Sequence, residues 1–219
     1  SRTMNPKVVI FDWDGTLVDS VEHIADSLQQ AATELGYPAR EREAYRDIIG
    51  LGMVEALEKL YPGLSRDEMK SIREGYGHYF FSKKTTPQNV FAGMKDVLVD
   101  LGGRSSGLAV ATGKSRRGLS LALESSGLGA HFAITRCADE TRSKPDPTML
   151  KEIVQHFGIA PEEAVMIGDT VYDLDMAQRM GMPAIGVEWG VHKRDRLSAF
   201  APFAVVDSVP ALRDALKLV

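Results

Sequence analysis

Two aspartates two positions apart, Asp12 and Asp14, follow the apolar run Val8–Phe11 near the start of the chain. An uninterrupted apolar run is typical of a strand buried on both faces of a parallel sheet. The pair would then lie at the carboxyl end of that strand, where open α/β sheets bind ligands. Two such carboxylates repel one another unless a cation or a shared proton compensates their charge. The spacing suits a Mg²⁺ site, or a nucleophile beside a proton-transfer group, although an acidic turn has the same residue types.

Polar groups also stand where later predicted strands end, and a parallel sheet brings such ends to one edge. A Thr-Gly pair at the start of a helix offers a hydroxyl and main-chain N–H groups to a phosphate. A lysine in a proline-stiffened loop can offset the charge of phosphate and nucleophile. Taken singly, these residues would also serve as a helix N-cap, a solvent-facing lysine and an acidic helix start. They are Thr112 with Gly113, Lys144 in Ser143–Pro147, and Asp169 with Asp173.

Two regions with different hydrophobic patterns must position these groups. Residues 18–87 show apolar residues at helical spacing and no alternating strand, which predicts an all-helical unit. After it, short apolar runs alternate with helical patterns, and this alternation predicts a doubly wound parallel sheet of the α/β class. We therefore predict an α/β core of residues 1–17 and 88–219, with a helical cap domain of residues 18–87 inserted after the first strand. Thr85-Thr86-Pro87 is the predicted connector back to the core.

The composition excludes several classes of protein. The 219 residues include 26 basic and 30 acidic side chains, a formal charge of −4, and this gives no support to nucleic-acid binding. No apolar run approaches the roughly 20 residues of a membrane span. Cys137 is the only cysteine, which excludes an intramolecular disulfide and fits a reducing compartment. We expect a cytoplasmic protein without nucleic-acid or membrane partners.

Four short stretches, taken in order, resemble the four motifs of the haloacid dehalogenase superfamily. They are Asp12-Trp13-Asp14-Gly15-Thr16, Thr112, Lys144-Pro145-Asp146-Pro147 and Gly168-Asp169-Thr170-Val171-Tyr172-Asp173. The dehalogenating members of that superfamily lack the second aspartate of the first motif. The presence of Asp14 here therefore favours phosphoryl transfer, which needs an acid for the departing alkoxide.

The resemblance also implies a role for each motif residue. Asp12 would be the nucleophile that forms an aspartyl-phosphate, and Asp14 the general acid and base. Mg²⁺ would be bound by Asp12, Asp169 and the main-chain carbonyl of Asp14. Asp173 would orient a metal-bound water or Lys144. The phosphoryl oxygens would be held by Thr112, Gly113 and Lys144.

The helical insertion after the first motif resembles the C1-type cap of the phosphoglycolate phosphatase-like subfamily. This implies a Mg²⁺-dependent phosphatase for a small phosphorylated metabolite, with phosphoglycolate as the first choice of substrate. A pyrophosphatase, a sugar-phosphate phosphatase and a phosphoglucomutase-like enzyme stay open as alternatives. A regulatory or binding protein without turnover is a further alternative, against which the complete set of motif residues argues.

Substrate selection is expected from the cap. The candidate residues are the turn Gly50-Leu51-Gly52, Arg46 as an anion partner, and His23. His23 lies one helix position early for the acid/base histidine of phosphoglucomutase relatives, and the turn has no basic residue to bind a second phosphate. Both features disfavour mutase activity. Trp13 is predicted to point away from the two aspartates and to pack under the cap.

Overall fold

The protein, described here from a computed structural model over residues 2–83 and 86–219, is built around a parallel sheet. The order of its strands is β3-β2-β1-β4-β5-β6, and every neighbouring pair is parallel, so the predicted doubly wound α/β fold is confirmed. The first strand is central, because the chain leaves it for β2 on one side and later for β4 on the other. The strands are β1 (Val8–Phe11), β2 (Gly107–Thr112), β3 (Ile134–Cys137), β4 (Ala164–Gly168), β5 (Ala184–Val187) and β6 (Ala204–Val206).

The α-helices form two groups. Four of them follow β1 directly and make up what we call the helical segment, residues 21–81: α1 (Val21–Glu34), α2 (Arg42–Asp47), α3 (Met53–Leu60) and α4 (Arg66–Phe81). The others alternate with strands: α5 (Met94–Gly102), α6 (Arg116–Ser126), α7 (Thr148–Phe157), α8 (Val171–Arg179), α9 (Arg194–Leu197) and α10 (Val209–Ala215). Thr85 of the predicted connector lies outside the described residues, as does Lys84 before it. The domain limits at residues 18 and 87 stay a prediction.

The uninterrupted apolar run of β1 is explained by helices on both faces of the sheet. Side chains of a strand alternate between the two faces. Val9 and Phe11 pack with α5, α6 and α10, whereas Val8 and Ile10 pack with α7 and α8. All four side chains have no exposed surface, as expected of a strand covered on both sides.

A third apolar group lies between the helices of the helical segment and extends onto the core. Leu28 of α1, Leu57 of α3 and Ile72 of α4 are buried in it, together with Val171 and Tyr172 from the start of α8. The helical segment therefore packs against the chain that follows β4. No helix of the described chain combines the length and the apolar character needed to cross a bilayer.

Two local predictions need correction. The stretch 132–135 predicts the third strand by its residue types, but the strand runs from Ile134 to Cys137, because its pairing with β2 extends to the pair Thr112 and Cys137. Trp13 is fully buried, yet it does not pack under the helical segment. It belongs to the apolar group of α5 and α6, with its ring 6.4 Å from that of Phe132.

Adjacent residues of α5 offer a matched test of the core. Leu98 faces the sheet and is fully buried, whereas Val99 is 52% exposed. We expect Leu98→Ala to lower the free energy of unfolding by about 2 to 5 kcal/mol, because it leaves a cavity among packed side chains. Val99→Ala should change it by no more than about 0.5 kcal/mol. Urea unfolding of both variants measures the difference, and equal effects would contradict this packing of α5.

Candidate active site

Three central strands bring their polar ends to one edge of the sheet. Asp12 follows β1, Thr112 ends β2, and Asp169 follows β4. Strand pairing fixes the positions of Asp12 and Asp169 along the sheet edge, since the N–H of Asp12 donates to the carbonyl of Ile167 at 2.9 Å. Residues separated by more than a hundred positions in sequence are thus neighbours at this edge.

Lys144 joins this edge as a buried cation. Its Nζ donates to Asp12 Oδ1 at 2.9 Å and to Asp173 Oδ1 at 2.6 Å, and the side chain has no exposed surface. Burial by itself would lower the pKa of Lys144, but the negative charges of Asp12 and Asp173 outweigh it and raise the pKa above its usual value. The lysine therefore stays positively charged.

Asp173 is fixed on both sides. Its Oδ1 accepts from Lys144, and its Oδ2 accepts from the backbone N–H and the hydroxyl of Thr170, at 3.2 and 2.8 Å. Thr170 is the N-cap residue of α8, so the helix start itself orients this carboxylate. Both oxygens of Asp173 already have partners.

Asp169 lies on the other side of Asp12. Its Oδ1 accepts from the hydroxyl of Thr16 at 3.0 Å, and its Oδ2 accepts from the N–H of Val191 at 2.8 Å. A Cβ on Gly15 would lie 2.1 Å from that Oδ2, so the turn after Asp14, with its positive φ of 81°, requires glycine. Burial and the nearby charge of Asp173 raise the pKa of Asp169 to about 6.

The three carboxylates fit a divalent cation. Oxygen atoms of Asp12, Asp169 and Asp173 all lie within 4.8 Å of one another and are buried. Asp12 Oδ2 has no hydrogen-bond partner, and burial, followed by the charge of Asp173, raises the pKa of Asp12 well above its usual value. One lysine cannot balance the negative charge of three buried carboxylates. A small cation that prefers oxygen ligands, such as Mg²⁺, would supply the missing positive charge.

The third carboxylate of this cluster is that of Asp173, and the side chain of Asp14 lies outside it. The resemblance assigns only the main-chain carbonyl of Asp14 to the metal. Asp14 instead turns to a cavity, where its Oδ1 accepts from the Ser20 hydroxyl at 2.6 Å and its Oδ2 lies 3.3 Å from Lys114 Nζ. The two aspartates of the first motif thus face different surroundings, one the cluster and the other the cavity.

The cavity has a volume of about 1030 Å³ and separates the strand ends from the helical segment. Asp12, Asp14, Thr112 and Gly113 form its polar floor. Its walls are largely apolar, and pockets for small molecules commonly combine apolar walls with a few polar groups. The wall residues include Leu28, Ile48, Ile49, Met53, Tyr76, Phe80 and Phe81, together with the predicted turn Gly50-Leu51-Gly52.

The chain segment 47–52, which we call the strap, is attached to the core at both ends. Asp47 accepts hydrogen bonds from His192 Nε2 at 2.7 Å and from Arg196, while the N–H of Gly52 donates to Ser143 Oγ at 2.9 Å. Between them, the carbonyl oxygen of Gly50 would lie 2.4 Å from a Cβ on Gly113. The strap therefore rests directly on the backbone that follows β2, which leaves no room there for a side chain.

The hydrogen bond between His192 and Asp47 has a defined polarity. His192 is buried, and its Nδ1 accepts from the backbone N–H of Val171 at 3.0 Å, which leaves Nε2 as the donor to Asp47. This bond is the main cause that lowers the pKa of Asp47 to about 2, and Arg196 adds to it.

Two predicted specificity residues do not reach the cavity. The guanidinium of Arg46 pairs with Glu22 at 3.0 Å and Glu43 at 2.9 Å, so neighbouring acidic residues already compensate its charge. His23 Nε2 donates to the carbonyl of Phe80 at 2.9 Å, and its ring stacks on Phe80. Both residues tie helices to one another, and neither lines the cavity.

Some site residues could not be assigned from sequence. Thr16 holds Asp169, Ser20 holds Asp14, and Lys114 contacts Asp14. Thr16 is the last residue of the first motif stretch and Lys114 directly follows Gly113, which is the signal that could have identified them. Ser20 shows no such signal, because any serine before a helix fits an N-cap.

Comparison with known sequences places this site in a family. Residues 9–187 match the model of the family described as haloacid dehalogenase-like hydrolase. The chain is 36% identical to the Dickeya dadantii protein named "Probable phosphatase IndB", over 96% of this chain and 95% of that one. It is 28% identical to the phosphoglycolate phosphatase of Vibrio parahaemolyticus, over 97% of this chain and 96% of the relative.

The fold is likewise found among solved structures. The β-phosphoglucomutase of Clostridium difficile superposes with a TM-score of 0.82 over 98% of both chains, at 18% sequence identity. A likeness at this identity concerns the fold alone. The matched sequence profile, by contrast, covers the ends of β1, β2 and β4 and the loop of Lys144, and it shows that this chain belongs to the haloacid dehalogenase-like hydrolase family.

Proposed function

We propose that this protein is a Mg²⁺-dependent phosphatase that hydrolyses a small phosphomonoester through an aspartyl-phosphate on Asp12. One observation supports this most directly. Asp12 is a buried carboxylate with one oxygen bound by Lys144 and the other without a partner, at the floor of a large cavity. A structural salt bridge would leave no oxygen orphaned, whereas a nucleophile awaiting a cation and a phosphoryl group has this arrangement.

In the first step, Asp12 attacks phosphorus, and the bond from phosphorus to the alcohol oxygen breaks. Lys144 and the hydroxyl and N–H donors of Thr112 and Gly113 neutralise the charge on the phosphoryl oxygens that stay behind. The Thr112 hydroxyl is prepared for this role, since its oxygen accepts from the N–H of Lys114 at 3.1 Å and its proton can point to a ligand. Asp173 keeps Lys144 in position.

Asp14 serves as the acid and then the base. Its carboxyl protonates the departing alcohol oxygen, and in the second step it takes a proton from the water that hydrolyses the aspartyl-phosphate. The Ser20 hydroxyl holds this carboxylate toward the cavity, on the side where the alcohol must leave. The separation of Asp12 and Asp14 into two environments supports this division of roles.

Mg²⁺ would be held by Asp12, Asp169 and the main-chain carbonyl of Asp14. When bound, it supplies positive charge that lets the phosphoryl group approach a cluster of carboxylates. The partnerless Asp12 Oδ2 and the raised pKa of Asp169 support this assignment.

For the substrate, the proposal is a small phosphorylated metabolite, with phosphoglycolate first, because several relatives at about 28% identity have the name phosphoglycolate phosphatase. The helical cap domain, residues 18–87, would select it, with Gly50, Leu51 and Gly52 at the cavity wall. A mutase has less support, since His23 is turned away to Phe80. A protein without turnover has less support as well, because none of the groups needed for turnover is missing.

The nucleophile is tested by Asp12→Asn. We expect hydrolysis of a generic phosphomonoester, such as p-nitrophenyl phosphate, to fall below detection. The variant should unfold at the same or a higher temperature, because it removes a charge from a crowded group of carboxylates. Loss of activity with retained thermal stability is the supporting result. Normal turnover by Asp12→Asn would exclude Asp12 as the nucleophile.

The cation is tested without reference to turnover. A ligand that binds only the folded protein stabilises it, by about 2.7 kcal/mol at a concentration one hundred times its Kd. We expect Mg²⁺ to raise the Tm of the wild-type protein and EDTA to reverse the rise together with activity. Asp169→Asn should lose most of the rise. A Tm that does not respond to millimolar Mg²⁺ would contradict the metal site.

A further inference from the structure

Lys114 is a second, largely buried lysine at the cavity, and its surroundings differ from those of Lys144. Its side chain is 8% exposed, and its Nζ lies 3.3 and 3.4 Å from the two oxygens of Asp14. The same ammonium lies 4.7 Å from the centre of the Phe80 ring. Among the described residues, Asp14 is the only acceptor that its ammonium contacts.

This leaves the ammonium of Lys114 incompletely compensated. A lysine has three N–H donors, and a buried charge is costly unless its partners satisfy it. Lys144 shows full compensation, with two carboxylates at 2.9 and 2.6 Å. The contact of Lys114 is longer than the roughly 2.7 to 2.9 Å that is usual for a charge-assisted hydrogen bond. Lys114 lines the cavity, so a ligand there can reach its ammonium.

Tyr76 lines the same cavity and has no hydrogen-bond partner within the described chain. Burial, followed by the negative charge of Asp14, raises the pKa of Tyr76 well above its usual value, so the hydroxyl keeps its proton. Tyr76 of α4 is thus a second donor at the cavity that Asp14 also lines.

The position of Lys114 determines what it can bind. The phosphoryl group belongs with Lys144, Thr112 and Gly113, and the acid Asp14 must touch the leaving oxygen. Since Lys114 is in contact with Asp14, it lies on the alcohol side of the ester bond. A negative group two or three bonds from the leaving oxygen would reach its ammonium.

The other charged residues around the cavity do not compete for this role. They are exposed and of both signs, which leaves no net attraction for an anion at the rim: Arg73, His78, Arg117, Glu55, Glu74 and Asp139. Lys114 alone among these cations combines burial with contact to the acid.

We propose that Lys114, with Tyr76 as a second donor, binds a carboxylate on the leaving alcohol. The enzyme then prefers phosphomonoesters whose alcohol has a carboxylate next to the ester-bearing carbon. This inference rests on the proposed function, and it makes Lys114 the residue that determines specificity. It also supplies the basic group for a second anion that the turn Gly50-Leu51-Gly52 lacks.

The test compares two esters that differ only in that group, 2-phosphoglycolate and 2-hydroxyethyl phosphate. A hydrogen bond between two charged groups discriminates by about 10- to 100-fold, and we expect the wild-type kcat/KM ratio in that range. Lys114→Met should lower the ratio at least about tenfold, and Lys114→Arg should restore part of it. Lys70→Met, at an exposed position of α4 outside the cavity, is the matched control and should keep the wild-type ratio.

The outcomes separate this inference from the proposed function. If wild type hydrolyses both esters equally, or if Lys114→Met slows both by the same factor, the carboxylate site is wrong while the phosphatase stands. If pyrophosphate is preferred to both esters and Lys114→Met removes that preference, the subsite is for a second phosphate. If wild type hydrolyses neither ester, the proposed function fails. Titration calorimetry of both esters then tests the carboxylate site by binding alone. Tighter binding of phosphoglycolate that is lost in Lys114→Met supports the site, and equal binding of both esters overturns it.

Discussion

The bridge from Lys144 to Asp12 and Asp173 is the interaction on which the site depends. It places one positive charge among three carboxylates at the edge of an otherwise apolar sheet. A buried charge of this kind is tolerated only with close partners, so the loop of Lys144, the end of β1 and the start of α8 must meet within hydrogen-bonding distance. The parallel order of the central strands makes this meeting achievable, because it brings all their carboxyl ends to the same edge.

The same constraint explains why two aspartates so near in sequence face different surroundings. Asp12 still follows the direction of β1 and stays with the cluster. The chain then turns at Gly15, in a conformation that other residues rarely adopt, and Asp14 is left facing the cavity with Ser20 as its donor. The crowding of carboxylates is confined to Asp12, and Asp14 lines the cavity.

Sequence reasoning reached the fold because the fold rests on local patterns. The doubly wound sheet is predicted by two such patterns, the apolar run Val8–Phe11 and the later alternation of strand and helix periodicities. The motif residues could be placed at strand ends for the same reason. Contacts such as His192 with Asp47, or Thr16 with Asp169, join segments more than a hundred residues apart, and no periodicity reports them. Arg46 was a reasonable anion partner by type, but only the structure shows that Glu22 and Glu43 already occupy its guanidinium.

The strap connects the cavity wall to two parts of the sheet edge that bears the carboxylate cluster. At one end, Asp47 is bound to the ring of His192, and the backbone N–H of His192 donates to the carbonyl of Asp169 at 3.0 Å. At the other end, Gly52 is bound to Ser143, the neighbour of Lys144. Any outward swing of this wall must therefore break those bonds or pull on the backbone beside both charged groups. Admission of a ligand along this side and the integrity of the charge cluster are therefore mechanically linked.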